Sequence, residues 1–224
     1  MTAIVQTGDV YTVFVATPRS ASTSLMNYAV EYAKQNNLNY WCSKQNHTFN
    51  NSILQFHDNV EYLQSIFKTN QPKQFISILR NPFELVVSVY RYFCDEHASG
   101  NHSEWLNNQT QRLINKDVKD FEKLSLDNFY HLLRDKHNSI NFHRSYYCSK
   151  VGTVDHLVPI TQVENKLQAL LPGIKPNLSV SNISNKKIHL SASPQLEQWV
   201  CEDFDWEIEQ WNKATTANDF LQPV

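Results

Sequence analysis

Two short segments concentrate groups that can bind an anion. The first, Thr17-Pro18-Arg19-Ser20-Ala21-Ser22-Thr23-Ser24, is small, rich in hydroxyls and carries one arginine. Where such a segment opens a helix, unpaired N–H groups and the positive end of the helix dipole join the hydroxyls, and the result is an oxyanion cradle. The bland alternative is a serine-capped helix start. The second segment is Arg80-Asn81-Pro82, with Ser88 and Arg91 further on. An arginine leaving a buried strand wants an anionic partner. A structural pair with Glu84 would also satisfy it. Taken together, two anion sites at two strand-to-helix turns suit a nucleotide with phosphates at both ends of its ribose.

The elements that must position them are legible. Val10–Ala16 (VYTVFVA) reads as a buried strand, and a helix follows from about Ser22 with Met26, Ala29, Val30 and Ala33 on one stripe. Phe75–Leu79 (FISIL) reads as a second buried strand. Asn81 can cap the next helix, with Pro82 at its first position and Phe83, Val87, Tyr90 and Cys94 as its apolar stripe. A third unit is a strand at Val154–Val158 and a helix at Thr161–Leu171, where Thr161 and Glu164 have capping-box spacing. Strand–helix repeats predict an α/β fold with a central parallel sheet flanked by helices. Between the second and third units the chain reads as helix-rich, with Phe129, Leu132 and Leu133 as core. Residues 173–192 read as loop and 193–212 as an amphipathic helix. With no repeat and no linker, residues 1–224 read as one domain.

Composition narrows the chemistry. Only 4 of 224 residues are glycine, and no two lie within five positions of each other. That excludes G-x-G-x-x-G and G-x-x-x-x-G-K-[ST], the phosphate loops of dinucleotide and ATP proteins. Hydrophobic residues make up 41%, enough for a sizeable core, and the net charge of −2 supplies no global field for nucleic acid. The four cysteines contain no C-x-x-C and make no disulfide scaffold. The first nine residues lack the basic and apolar regions of a secretory signal, and no apolar run is long enough to span a membrane. A cytoplasmic protein with reduced thiols is the expectation. Cys94-x-x-His97 with His102 does not match zinc spacings, so no metal site is expected.

On these residues the chain resembles the sulfotransferases that use 3′-phosphoadenosine 5′-phosphosulfate (PAPS). Residues Thr17 to Leu25 are similar to their 5′-phosphosulfate loop, P-[KR]-x-G-[ST]-[ST]-[ST]. Arg80-Asn81-Pro82-Phe83-Glu84 through Ser88-Val89-Tyr90-Arg91 resembles their 3′-phosphate element, R-[DN]-P-x-E-x-x-x-S, most nearly in the form of the Golgi carbohydrate enzymes. The resemblance implies a P-loop-like sulfotransferase fold and sulfuryl transfer from PAPS to an acceptor hydroxyl on a glycan or small molecule, without a metal and with adenosine 3′,5′-bisphosphate (PAP) as product. It implies that Arg19 contacts the 5′-phosphate and the bridging oxygen. Pro18, Ser20 and the N–H groups of Ala21 to Ser24, with the Ser22, Thr23 and Ser24 hydroxyls, would hold the phosphosulfate. Arg80 and Ser88 would hold the 3′-phosphate, and the basic loop at Lys186 and Lys187 would close over the donor. One departure stands out: the family glycine is Ala21 here. If that position needs φ > 0, alanine is strained there by about 1 kcal/mol or more.

In-line transfer needs a general base for the acceptor proton. Among nine histidines, His57 ranks first, 23 residues before Arg80, a spacing close to that of one carbohydrate branch of the family. His47, Glu96 and His97 follow. His57 as a strand or helix cap is the competing reading. Two other functions compete for the whole chain. A small-molecule or nucleotide kinase lacks its Gly-Lys-[Ser/Thr] here, and a nucleotide-binding module without turnover draws its support from Ala21.

Overall fold

The computed structural model describes residues 2–45, 47–55, 57–68, 70–99, 124–136, 144–150, 152–171 and 192–216. They belong to two compact units, Met1–Arg80 with His143–Ser181 and Gln210–Val224, and Asn81–Phe142 with Asn182–Glu209.

The first unit is built on period-two alternation. Strands β1 (Ala3–Thr7), β2 (Val10–Val15), β3 (Asn39–Cys42), β6 (Lys73–Leu79) and β9 (His156–Pro159) form one sheet in the order β3-β1-β2-β6-β9. Along β1 and β2, Ala3, Val5 and Phe14 face one side while Ile4, Val13 and Val15 face the other. Helices α1 (Ser22–Gln35) and α5 (Val163–Leu170) cover the first side, through residues such as Leu25, Met26, Ala29 and Leu167. Helix α2 (Val60–Ser65) covers the second with Val60 and Leu63, together with Leu54 and Tyr146. Two short hairpins, β4 (Thr48–Phe49) with β5 (Ser52–Ile53) and β7 (Cys148–Ser149) with β8 (Gly152–Thr153), complete the strands among the described residues.

The sheet corrects the expectation of a purely parallel one. β2, β6 and β9 pair in parallel, but β1 runs antiparallel to both β2 and β3. The fold is therefore mixed α/β, with four strands running one way and β1 against them. The cause is a tight hairpin: Thr7 pairs with Val10 across a two-residue turn in which Gly8 takes φ 60°.

Three smaller corrections follow. The third parallel strand lies at His156–Pro159 rather than Val154–Val158. No capping box forms at Thr161, because Ile160–Gln162 is a 3₁₀ turn and α5 starts at Val163 with no side-chain cap. The C-terminal amphipathic segment is two helices, α6 (Pro194–Asp203) and α7 (Asp205–Thr216), with Phe204 between them.

In the second unit, α3 (Pro82–Ser99) begins as its sequence requires, with the Phe83 N–H donating to the Asn81 side chain at 2.9 Å. Leu85, Val86, Tyr90, Phe93 and Cys94 pack with Phe129 and Tyr130 of α4 (Leu126–Lys136) and with Leu196 and Val200 of α6. The buried stripe of α3 thus keeps Tyr90 and Cys94, while Phe83 and Val87 are only partly covered. Tyr130 donates to Asp203 at 2.9 Å, and Arg134 bridges Asp203 and Glu202.

Candidate functional site

Parallel pairing puts the carboxyl ends of β2, β6 and β9 at one edge of the sheet, where ligands of open α/β sheets bind. The chain leaving β2 turns sharply there. The Ser20 N–H donates to the Thr17 carbonyl at 3.3 Å. The Thr17 hydroxyl shares a buried 2.7 Å hydrogen bond with Ser77 of β6, which ties the start of the turn to the neighbouring strand. Two residues of the turn are left-handed, Arg19 at φ 59° and Ala21 at φ 54°. Neither is glycine, so the backbone is strained at both.

Ala21 is the N-cap of α1, and no side chain caps that helix. Ser22, Thr23 and Ser24 form its first turn, with Ser24 buried and the other two partly so. Pro18 and Arg19 are half-buried, and Ser20 is buried with a hydroxyl that has no hydrogen-bond partner among the described residues. An unpaired buried hydroxyl in a turn without acids suits an anionic ligand.

Arg80 closes the arrangement. It follows the last residue of β6, and its Nη1 donates to the Arg19 carbonyl at 2.9 Å. A charge-assisted bond to that carbonyl holds the left-handed turn in place. The two motifs, 61 residues apart in the chain, thus meet directly.

His57 reaches the same place from the segment before α2. Its Nδ1 lies 2.8 Å from the carbonyl of Ala16, the residue that follows β2. A carbonyl only accepts, so Nδ1 carries the proton and Nε2 the lone pair. The ring meets Tyr146 edge-on, with centroids 6.2 Å apart. Although the residue retains solvent exposure, desolvation around the ring lowers its pKa below the usual histidine value, against the opposing effect of the Ala16 bond. His57 is therefore neutral at pH 7 with a basic nitrogen available. Asp58, next to it, is buried, and burial raises its pKa to about 6 although the Gln55 N–H donates to it at 2.8 Å. Burial, followed by the nearby Asp58 charge, raises the Tyr146 pKa.

The structure thus brings together Thr17 to Ser24, Arg80 and His57 at the end of β2. Ser88 is a buried position on α3, in the second unit. Lys186 and Lys187 lie outside the described residues. Sequence reasoning missed Asp58 and Tyr146. Adjacency to His57 was a usable signal for the first. Tyr146 is far away in the chain and had none. Among the described residues, no group of three or more His, Cys, Asp or Glu side chains could hold a metal ion, and no helix is long and apolar enough to cross a membrane. No protein-family model matches the chain, nor does any curated protein or solved structure.

Proposed function

We propose that the chain is a sulfotransferase that moves a sulfuryl group from PAPS to an acceptor hydroxyl. The observation that carries this reading is the 2.9 Å bond from Arg80 to the Arg19 carbonyl, which joins the two segments that resemble the phosphosulfate and 3′-phosphate elements. The donor set fits the nucleotide: two arginines, a hydroxyl-rich first turn of α1 with no side-chain cap, and the orphaned Ser20 hydroxyl.

PAPS supplies an activated sulfuryl group at its 5′ end. The N–H groups and hydroxyls of Ser22, Thr23 and Ser24 hold that end at the helix N-terminus. His57 accepts the acceptor proton at Nε2 as the acceptor oxygen bonds to sulfur. Arg19 balances the charge that develops on the departing phosphate as the sulfur–oxygen bond breaks. Arg80 serves both as a brace for the Arg19 turn and as a partner for the 3′-phosphate.

The test is transfer of labelled sulfate from PAPS to a panel of hydroxyl acceptors. Labelled product is expected with at least one acceptor, and Arg80→Ala should weaken PAP binding by about 2 kcal/mol or more. No transfer to any acceptor, together with unchanged PAP affinity in Arg80→Ala, overturns the proposal.

A further inference from the structure

His57 stands on a short turn whose two ends are anchored in the core. Leu54 before it is buried, and so are Val60 and Leu63 of α2 after it, while Gln55 and His57 themselves are exposed. Asn59 caps α2 by accepting from the Tyr62 N–H at 2.8 Å. The Val60 N–H donates to the Ser145 carbonyl at 3.0 Å, which ties the start of α2 to the segment that carries Tyr146. Next in that segment, the buried Tyr147 hydroxyl donates to the Ile78 carbonyl of β6 at 3.4 Å. The Tyr146 ring that meets His57 edge-on is therefore held from both α2 and the sheet. The exposed turn is itself closed by Asp58, whose carboxylate accepts from the Gln55 N–H at 2.8 Å.

Asp58 is 6% exposed, and a carboxylate is an unfavourable group to bury unless it is paired or hydrogen-bonded. The bond it accepts comes from the backbone two residues before His57, and a bond to a carboxylate is stronger than one between neutral groups. It fixes the main chain on which the imidazole stands. The tautomer of a histidine follows from the hydrogen bond that its other nitrogen makes. With Nδ1–H on the Ala16 carbonyl, the lone pair stays at Nε2. If the turn opens, that bond is lost, and the proton can move to Nε2, which then accepts none.

We propose that Asp58 is a positioning residue for His57: by holding the Gln55 N–H it closes the turn that keeps Nδ1 on the Ala16 carbonyl and leaves the Nε2 lone pair for the acceptor proton. The inference rests on the sulfotransferase reading for the identity of that proton. Asp58 acts through the turn and touches no reacting atom. Its loss therefore lowers turnover without loosening the nucleotide, which that reading assigns to Arg19, Arg80 and the first turn of α1.

The full chain, isotopically labelled on nitrogen, is studied by NMR at about pH 8, where histidine is neutral. The His57 signals are assigned by their loss in His57→Ala. The parent should show the Nδ1–H pattern at His57, and its Gln55 amide should exchange slowly with solvent although the residue is exposed. Asp58→Ala should shift His57 toward the Nε2–H pattern and lower kcat at least about tenfold, as a slight displacement of a base does, with the Kd for PAP unchanged. Asp58→Asn, which keeps an acceptor in place, should recover the parent pattern and most of kcat. A parent-like His57 pattern in Asp58→Ala, or an unchanged kcat, overturns the proposal. Should Asp58→Ala fail to fold, the parent decides. A Gln55 amide that exchanges as in an open chain, or a His57 in the Nε2–H form, overturns the proposal, and a protected amide with the Nδ1–H form sustains it. Failure of the underlying reading looks different: PAP would not raise the melting temperature of the parent. The His57 pattern in Asp58→Ala then decides the positioning role alone, sustained by the shift and overturned by the parent pattern.

Discussion

Replacing Ala21 with glycine should leave the protein as stable as the parent or more so, although glycine at a helix start usually weakens a helix. Ala21 sits at φ 54°, ψ 27°. A residue with a Cβ there is strained by roughly 1–2 kcal/mol. Glycine relieves that strain. Its extra freedom in the unfolded chain opposes the gain by about 0.5–1 kcal/mol. Loss of the part-buried methyl opposes it by a fraction of ~0.8 kcal/mol. The net falls between about zero and +1 kcal/mol, which is a rise of up to roughly 4 °C for a chain of this size. Ala21→Val keeps the strain and adds a β-branch, so it should lie at least ~1 kcal/mol below the glycine variant. In an ordinary right-handed helical residue the order reverses, with glycine below valine. Thermal denaturation of the parent and both variants, followed by circular dichroism, decides between the two. A glycine variant less stable than the valine variant would refute the left-handed assignment and the strain argument built on it.

The pKa of Asp58, raised by burial to about 6, opposes stability as pH rises. The folded state binds the extra proton, so its contribution is complete below about pH 4 and is lost as pH passes 6, a difference of about 3 kcal/mol. Asp58→Asn should match the parent at pH 4 and exceed its stability at pH 7. A stability difference that does not vary with pH contradicts this. His57→Ala should lower turnover by roughly 10²–10⁴-fold. In the parent, the acid limb of the rate profile should fall below pH 6.5, because the His57 pKa is lowered from 6.5. An intact rate in His57→Ala removes it as base. In the second unit, Asp203→Ala should cost ~1–3 kcal/mol, mainly by leaving the buried Tyr130 hydroxyl without its acceptor. The exposed Arg134–Glu202 contact adds little. Adding Tyr130→Phe to Asp203→Ala should then cost much less than Tyr130→Phe alone, and additive costs in a double-mutant cycle would contradict the account.

The sequence carried the site's local parts better than the sheet that assembles them. The β-branched and aromatic runs Val10–Ala16 and Phe75–Leu79, mostly apolar as strands buried on both faces are, were legible, while the polar start of β6 at Lys73-Gln74 was not. Ser22 and Pro82 mark helix starts by composition alone. β1 was not legible as a strand, because five residues ending in Gln6-Thr7 make a weak pattern. The Gly8-Asp9 turn that folds β1 back was the available signal. His57 was visible as a basic side chain. Its tautomer was not, because that depends on a carbonyl 41 residues away in the chain. The left-handed state of Ala21 was legible only as a condition, since alanine gives no conformational cue and a structure is needed to read its φ.

The central claim is most directly tested by the melting temperature of the parent chain with PAP and, separately, with ATP. At a hundredfold excess over Kd, PAP should add about 2.7 kcal/mol of stability, a rise of roughly 5–11 °C, and ATP much less. No shift with PAP, or an equal shift with ATP, would contradict the account.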